Sequence, residues 1–264
     1  MPPAGLIGMC FSPDARPPRP PIRGAAVDAR DLVLTSRDGT ELAAYAARAD
    51  HPTGAGIVIV PDIRGLHPYY EELALRFAEA GVDAIAFDFY ARTAGGTKRD
   101  GAFDPKAHVL QLQTDRVNDD VAAAVAMLRS PEGGAPTRIF TIGFCIGGRI
   151  SLLQAAAGLE LGGVIGFYPW PTGEHRSGLP APSDEAPRFG CPVLTIYGEA
   201  DHGIGPDARD AFARALAEAG IEHRSVTYPD APHSFFDRTA EEHAGASAAA
   251  WAEVLSFMGV AVAD

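Results

Sequence analysis

The chain has 264 residues, which fits a single α/β domain, and 47% of them are hydrophobic, an ordinary share for a globular protein with a full core. Its formal net charge of −12 argues against nucleic-acid and anionic-membrane partners, because both require a basic face. Three scattered cysteines argue against a disulfide framework and a C-x-x-C zinc site, so we expect a cytoplasmic protein. The N-terminus lacks the basic and apolar regions of a signal peptide, and no apolar stretch approaches the ~18 residues that a membrane span requires.

Residues 1–24 are rich in proline, which resists both helix and sheet, so they predict an extended N-terminal arm. The sequence leaves open whether this arm is disordered or packs on the body. Residues 25–264 contain no linker long enough to divide them, and we expect them to form a single domain. Within it, Arg30–Thr35 and Glu41–Arg48 predict two antiparallel strands, because the Asp-Gly pair between them is a strong hairpin signal.

Strands and helices alternate in the rest of the chain. Apolar runs of the kind found in buried strands predict strands at Gly56–Val60, Val82–Phe89, Arg138–Phe144, Gly163–Tyr168, Cys191–Gly198 and Glu222–Tyr228. Apolar residues at helical spacing predict helices at Pro68–Ala80, Lys106–Arg129, Pro206–Ala219 and Ala240–Met258. The alternation indicates an α/β fold with a mostly parallel, doubly wound sheet that follows the antiparallel N-terminal hairpin.

The stretch from Arg138 to Arg149 predicts a strand, a hard turn and a helix, with Cys145 at the turn. Its pattern Gly143-x-Cys145-x-Gly147 matches the nucleophile elbow G-x-S-x-G, with cysteine in place of serine. A nucleophile at the tip of a strained turn leaves no room for side chains two positions away, which explains the glycines. The helix that follows directs its positive end at the sulfur and favours a thiolate. The alternative is a buried structural thiol, and the motif context argues against it.

In a parallel sheet the site lies beyond the carboxyl ends of the strands, so the partners of the thiol should follow strands. Of the three histidines that do, His233 lies in a loop stiffened by prolines, which suits a general base, whereas His67 and His202 are expected to make local hydrogen bonds or face solvent. Asp201, just past the Cys191–Gly198 strand, is the expected orienting acid. Glu199 competes for this role, but Asp201 lies further into the loop.

The order Cys145, Asp201, His233 is the nucleophile–acid–base order of α/β-hydrolases. An oxyanion hole in such a fold combines the N–H group of the residue after the nucleophile, here Ile146, with one from the loop after the Gly56–Val60 strand. Ile63 is the expected donor in that loop.

Four spaced motifs together resemble the dienelactone hydrolases (carboxymethylenebutenolidases): residues 143–148 around the cysteine, Tyr90-Ala-Arg92, residues 198–201 with the acid, and residues 232–235 with the histidine. The similarity runs from about Leu32 to the C-terminus. The resemblance implies the α/β-hydrolase fold, a cysteine hydrolase with a Cys–Asp–His triad, no metal and no organic cofactor.

An acidic residue in the oxyanion loop of this family controls the protonation of the cysteine, and the matching position is Asp62. The usual family residue is glutamate, one methylene longer. It therefore stays open whether Asp62 reaches the thiol or instead caps a turn or pairs with Arg64.

The resemblance also implies that Arg92 holds a substrate carboxylate, a role that suits a planar guanidinium. A surface salt bridge is the alternative for Arg92. A second family arginine lies four residues after the histidine, whereas Arg238 lies five residues after His233, so this correspondence is loose.

Tyr168 and Phe144 are candidate pocket residues at strand ends, and Trp170 and Phe235 are candidate apolar walls. All four side chains could equally belong to the core.

Two functions are consistent with these residues. The leading hypothesis is a hydrolase that cleaves a small lactone or ester, expected to be anionic because of the pocket arginine, through an acyl group on Cys145. The alternative is a non-hydrolytic member of the fold that binds a ligand or senses redox state through a reactive thiol. A complete triad favours the hydrolase, since neither alternative role needs one. The sequence does not specify the physiological substrate or the oligomeric state.

Overall fold

The computed structural model describes residues 15–237 and 239–261, and an eight-stranded sheet forms its centre. The strands are β1 (Ala26–Thr35), β2 (Glu41–Ala49), β3 (Ala55–Val60), β4 (Asp83–Phe87), β5 (Arg138–Phe144), β6 (Gly163–Phe167), β7 (Val193–Gly198) and β8 (His223–Tyr228). Their order in the sheet is β1-β2-β4-β3-β5-β6-β7-β8. β2 pairs antiparallel with β1 and β4, and the other pairs are parallel, which confirms the predicted mostly parallel sheet with an antiparallel hairpin.

Helices cover both faces of this sheet. They are α1 (Pro68–Glu79), α2 (Ala91–Ala94), α3 (Lys106–Val109), α4 (Thr114–Arg129), α5 (Ile146–Leu153), α6 (Pro182–Glu185), α7 (Pro206–Glu218) and α8 (Ala244–Phe257). Alternate side chains of β3 enter two separate apolar cores, Ile57 and Ile59 on one face and Val58 and Val60 on the other. The long helices α1 and α8 pack into the first core, and α4, α5 and α7 pack into the second.

The prediction of a single helix over Lys106–Arg129 is wrong, because residues 110–113 separate α3 from α4. Gln113 has an extended backbone, and Leu110 is exposed rather than buried. Val109 and Val117 are both buried, and their spacing suits a continuous helix as well as two helices that share an apolar face. The final helix also begins later than predicted, at Ala244, after a series of turns.

The described part of the proline-rich arm packs on the body. Pro17 and Pro20 are buried, and the indole N–H of Trp251 on α8 donates to the carbonyl oxygen of Pro18 at 2.9 Å. Arg23 donates to the carbonyl oxygen of Ala261 at 2.7 Å. Residues 15–24 are therefore part of the folded unit, whereas residues 1–14 of the predicted arm lie outside the described residues.

The parallel strands all end at the same edge of the sheet, which gathers the residues that follow them. Asp62 follows β3, Cys145 follows β5, Tyr168 follows β6, Asp201 follows β7 and His233 follows β8. The candidate site is therefore at this edge. Across residues 15–237 and 239–261, every helix is too short or too polar to cross a bilayer.

Candidate active site

Cys145 occupies a strained turn between β5 and α5. Its φ of 56° and ψ of −118° are unusual for a residue with a side chain, and its N–H donates to the carbonyl oxygen of Phe167 at 3.1 Å. A Cβ atom at Gly143 would lie 1.9 Å from the carbonyl oxygen of Gly147, and one at Gly147 would lie 2.1 Å from that of Pro61. Only glycine fits these two positions, as the elbow motif predicts.

Side chains from three strand ends meet at this turn. The half-buried thiol of Cys145 is hydrogen-bonded to the imidazole of His233, whose Nδ1 lies 2.7 Å from Asp201 Oδ2. The other carboxylate oxygen of Asp201 accepts the N–H of Gly203 at 2.9 Å, which fixes the orientation of the acid. Because Asp201 holds Nδ1, the Nε2 atom of His233 faces the sulfur. The structure thus brings together the three residues that the sequence predicts as a triad.

The competing candidates lie elsewhere. Glu199 and His202 are exposed. His67 is buried at the start of α1, where its Nδ1 accepts the N–H of Tyr69 at 3.4 Å and its ring lies 5.0 Å from that of Tyr70. Among the described residues, no group of three or more His, Cys, Asp or Glu side chains is arranged to hold a metal ion.

The triad stabilises a positive charge on the imidazole. Burial lowers the pKa of His233, but the negative charge of Cys145 and the hydrogen bonds to Asp201 and Cys145 outweigh burial and raise this pKa to about 10. Burial raises the pKa of Asp201. The hydrogen bond and the charge of His233 outweigh burial and hold the pKa of this carboxyl below its usual value. The arrangement therefore favours a protonated imidazole backed by a carboxylate.

Two backbone N–H groups, one in the loop after β3 and one at the start of α5, have no acceptor among the described residues. In the loop after β3, the N–H groups of Asp62, Arg64, Gly65 and Leu66 donate respectively to the Tyr70 hydroxyl, the Asp62 carboxylate, the Asp62 carbonyl oxygen and the Asp88 carboxylate, at 2.9–3.1 Å. Within the described part of the chain, the N–H of Ile63 has no such acceptor. Ile146, the first residue of α5, has none within its helix either.

A buried network holds this loop in place. The Tyr90 hydroxyl donates to the carbonyl oxygen of Ile63 at 2.9 Å. Asp88 forms a buried ion pair with Arg99 at 2.7 Å, and the N–H of Arg99 donates to the carbonyl oxygen of Leu66 at 2.7 Å. The loop is thus fixed on both sides of Ile63. In the sequence, Tyr90 stands out only as part of the motif Tyr90-Ala-Arg92, and no pattern predicts the roles of Asp88 and Arg99.

This geometry agrees with the comparisons to known proteins. A model of the dienelactone hydrolase family matches residues 42–262. The chain belongs to the dienelactone hydrolase family. It is therefore a hydrolase of the α/β-hydrolase fold that acts on lactone or ester bonds.

Three proteins illustrate the similarity. A "putative carboxymethylenebutenolidase" from Escherichia coli (strain K12) is 31% identical over 257 residues, which cover 94% of this chain and 93% of that protein. A carboxymethylenebutenolidase from Rhodococcus opacus is 29% identical over 94% of this chain and 96% of its own length. The crystal structure of a "putative dienelactone hydrolase" from Klebsiella pneumoniae has a TM-score of 0.78 and 29% sequence identity, and the match covers 89% of this chain and 99% of that one.

Asp62, the family position expected to modulate the cysteine, is fully buried in this dienelactone hydrolase. Its Oδ1 accepts the N–H of Arg64 at 2.9 Å and lies 4.0 Å from Nε2 of His67. Burial is the main cause that raises the pKa of Asp62 to about 7. The described hydrogen bond caps the oxyanion loop, which corresponds to the turn-capping alternative. A direct effect of Asp62 on the thiol stays a prediction.

The structure places Arg92 away from the role expected from the family resemblance. Its guanidinium forms ion pairs with Asp38 at 2.9 Å and with Asp120 at 2.6 Å, and it donates to the Ser36 hydroxyl at 2.9 Å. All three nitrogens are engaged between the β1–β2 turn and α4, so Arg92 cannot offer a substrate carboxylate two parallel hydrogen bonds without breaking these contacts. The salt-bridge alternative describes it better. Arg238, the other predicted substrate-binding arginine, lies outside the described residues.

The four aromatic candidates divide into two groups. Tyr168 and Trp170 have ring centroids 4.7 Å and 6.3 Å from that of His233. Tyr168 has a φ of 36°, and its hydroxyl donates to Asp237 at 2.9 Å. Phe144, Phe235 and Tyr168 are all fully buried in the core, and Trp170 is the one of the four that is partly exposed.

Proposed function

We propose that this dienelactone hydrolase cleaves lactone or small ester bonds through an acyl group on Cys145. The contact chain Cys145–His233–Asp201 carries the proposal, because it joins a nucleophile, a proton carrier and an orienting acid in one buried line. The thiolate attacks the carbonyl carbon and forms a C–S bond. The C–O bond to the leaving oxygen then breaks, and His233 gives its proton to that oxygen. In a lactone the leaving hydroxyl stays attached to the acyl chain.

The oxyanion of each tetrahedral intermediate is assigned to the N–H groups of Ile63 and Ile146. Both lack an acceptor among the described residues, so neither must break a protein hydrogen bond to bind the substrate. A preorganised donor of this kind is worth about 3 kcal/mol in the transition state.

Water completes the cycle. His233 takes a proton from a water molecule, the hydroxide attacks the thioester carbon, and the C–S bond breaks to release the carboxylic acid and regenerate the thiolate. Asp201 keeps Nδ1 of His233 protonated throughout, so Nε2 is the nitrogen that exchanges protons.

The names of the relatives support a proposal for the substrate class. The substrate in the name carboxymethylenebutenolidase is a lactone that carries a carboxylate-bearing group. On that basis we assign an anionic lactone or ester to this chain.

Replacement of the nucleophile tests the proposal. Cys145→Ala should lower kcat for a 4-nitrophenyl ester or a lactone at least about a thousandfold, because a triad acts as one unit. Cys191→Ala is the matched control: Cys191 is buried, and burial raises the pKa of its thiol to about 11, so we expect wild-type kcat. Activity of the Cys145→Ala enzyme within tenfold of wild type would exclude the mechanism.

A further inference from the structure

Arg149 of α5, four residues after the nucleophile, is a buried cation held by backbone carbonyl groups. Its guanidinium donates to the carbonyl oxygens of Trp170, Gly173, Leu179 and Pro180, all at 2.9–3.0 Å. Burial lowers the pKa of Arg149 to about 10, and the nearby charge of Asp184 opposes burial only weakly. A buried charge needs compensating hydrogen bonds, and here they all come from one loop. Arg149 therefore ties residues 170–180, the recognition loop, to the helix that carries Cys145.

The recognition loop lies over the triad. The ring of Trp170 is near His233, and a Cβ atom at Gly203, beside Asp201, would lie 2.8 Å from this indole. The ring of His175 lies 6.2 Å from that of Trp170, and its Nδ1 is 2.9 Å from the Ser177 hydroxyl. The residues on both sides of Arg176 are thus joined by a hydrogen bond, and His175 lies beside Trp170, whose ring is near His233.

Arg176 stands at the tip of this fixed loop with an exposed side chain. Within residues 15–237 and 239–261, its guanidinium forms no described ion pair or hydrogen bond with the protein. Its charge nevertheless acts on the hydroxyl of Tyr90. Burial is the main cause that raises the pKa of Tyr90, and the charges of Asp62, Asp88 and Cys145 raise it further. The charge of Arg176 lowers this pKa. One hydroxyl therefore lies within electrostatic range of both Cys145 and Arg176.

Other arginines around the site are already engaged. Arg92 is bound by Asp38 and Asp120, Arg99 by Asp88, and Arg149 by the carbonyl oxygens of the recognition loop. Unlike these three, the exposed guanidinium of Arg176 has no described ion pair or hydrogen bond.

We propose that Arg176 recognises the anionic group of the substrate and sets the preference for anionic esters, on a loop that Arg149 holds in place. The inference rests on the proposed ester and lactone hydrolysis. A guanidinium binds a carboxylate through two parallel hydrogen bonds, and this contact lies away from the reacting carbon. It should therefore stabilise the bound substrate and the transition state about equally, so its loss should appear mainly as a higher KM.

A pair of substrates matched in length tests the inference. Mono-4-nitrophenyl adipate carries a carboxylate where 4-nitrophenyl hexanoate carries a methyl group. The preference is the ratio of kcat/KM for the adipate to kcat/KM for the hexanoate. In Arg176→Ala this ratio should fall about tenfold, mainly through KM for the adipate, and in Arg176→Glu it should fall further because the charge is reversed.

Arg188→Ala is the control, since Arg188 is also an exposed arginine but pairs with Glu185, and it should keep the wild-type ratio. An unchanged ratio in both Arg176 variants, including an equal loss for both esters, would overturn the role of Arg176. The proposed hydrolysis is judged separately, by the dependence of hexanoate turnover on Cys145.

Discussion

The positive φ of Cys145 has a direct chemical consequence for the residue. It turns the side chain out of the β5–α5 connection and towards His233, while Ile146 begins the helix behind it. His233 is buried, and the negative charge of Cys145 together with the hydrogen bonds to Asp201 and Cys145 raises the pKa of its imidazole despite burial. Each member of the triad therefore depends on the charge of the next.

Asp62 provides a test at the scale of one residue. Its ordinary pKa of 3.8 is raised to about 7 in the fold, so between these pH values the unfolded chain loses a proton that the folded chain keeps. The contribution of Asp62 to the free energy of unfolding is thus fully present below about pH 4 and is lost as the pH rises through 7. Asp62→Asn cannot ionise but keeps the oxygen that accepts the N–H of Arg64. Relative to wild type, this variant should gain stability from pH 4 to pH 8, by an amount on the order of a few kcal/mol.

Denaturant unfolding of both proteins at pH 4.5, 6 and 8 measures this difference. Glu218→Gln, on the exposed face of α7, controls for the loss of one negative charge. A difference between Asp62→Asn and wild type that stays constant over this pH range would show that Asp62 is not held protonated by burial.

At the scale of elements, the oxyanion loop is held by its neighbours rather than by its own sequence. Tyr70 of α1 accepts the N–H of Asp62, and Asp88 and Tyr90, which follow β4, hold Leu66 and Ile63. The loop thus connects α1 to the end of β4. The position of the Ile63 N–H depends on both connections.

Tyr90→Phe should loosen this loop with little change to the fold. The ring stays in the core, but the hydrogen bond to Ile63 is lost, which costs about 1 kcal/mol of stability. Because the Ile63 N–H is the proposed oxyanion donor, kcat should fall about tenfold while KM changes less. Steady-state kinetics with a 4-nitrophenyl ester and a thermal melt measure the two effects.

Tyr228→Phe is the matched control, because the buried Tyr228 hydroxyl has no hydrogen-bond partner among the described residues. It should keep the wild-type kcat. Equal values of kcat for the Tyr90 variant and wild type would show that Tyr90 does not position the oxyanion loop.

Most strands and helices could be predicted from patterns of residues that are close together in the sequence. Buried strands are continuous apolar runs, and the elbow glycines are required by local crowding, so the position of Cys145 at the end of β5 follows from the sequence alone. The break at residues 110–113 did not follow, since Val109 and Val117 keep the same apolar face on either side of it. Arg92 was misplaced because a family motif gives the residue but not its ion-pair partners. The four bonds of Arg149 go to backbone carbonyl groups, which every residue has, so no sequence signal marks them.

At the scale of the whole molecule, the parallel sheet brings residues that are far apart in the chain to one edge. Cys145 and His233 are separated by three strands and two of the long helices of the fold, yet they share a hydrogen bond. Both faces of the sheet are covered by apolar cores, and residues 15–24 add to this cover through the contact of Pro18 with Trp251. This packing supports the edge of the sheet at which the proposed nucleophile, base and oxyanion donors lie.

Capture of the acyl group decides whether Cys145 is the nucleophile. With a 4-nitrophenyl ester, nitrophenolate leaves readily, so hydrolysis of the thioester should limit turnover and the acyl-enzyme should accumulate. The enzyme is mixed rapidly with the ester, quenched in acid, digested and analysed by mass spectrometry. We expect the peptide that contains Cys145 to gain the mass of the acyl group, and we expect no such gain in the Cys145→Ala enzyme. Turnover with no acyl group on Cys145, or with the acyl group on another residue, would contradict the mechanism.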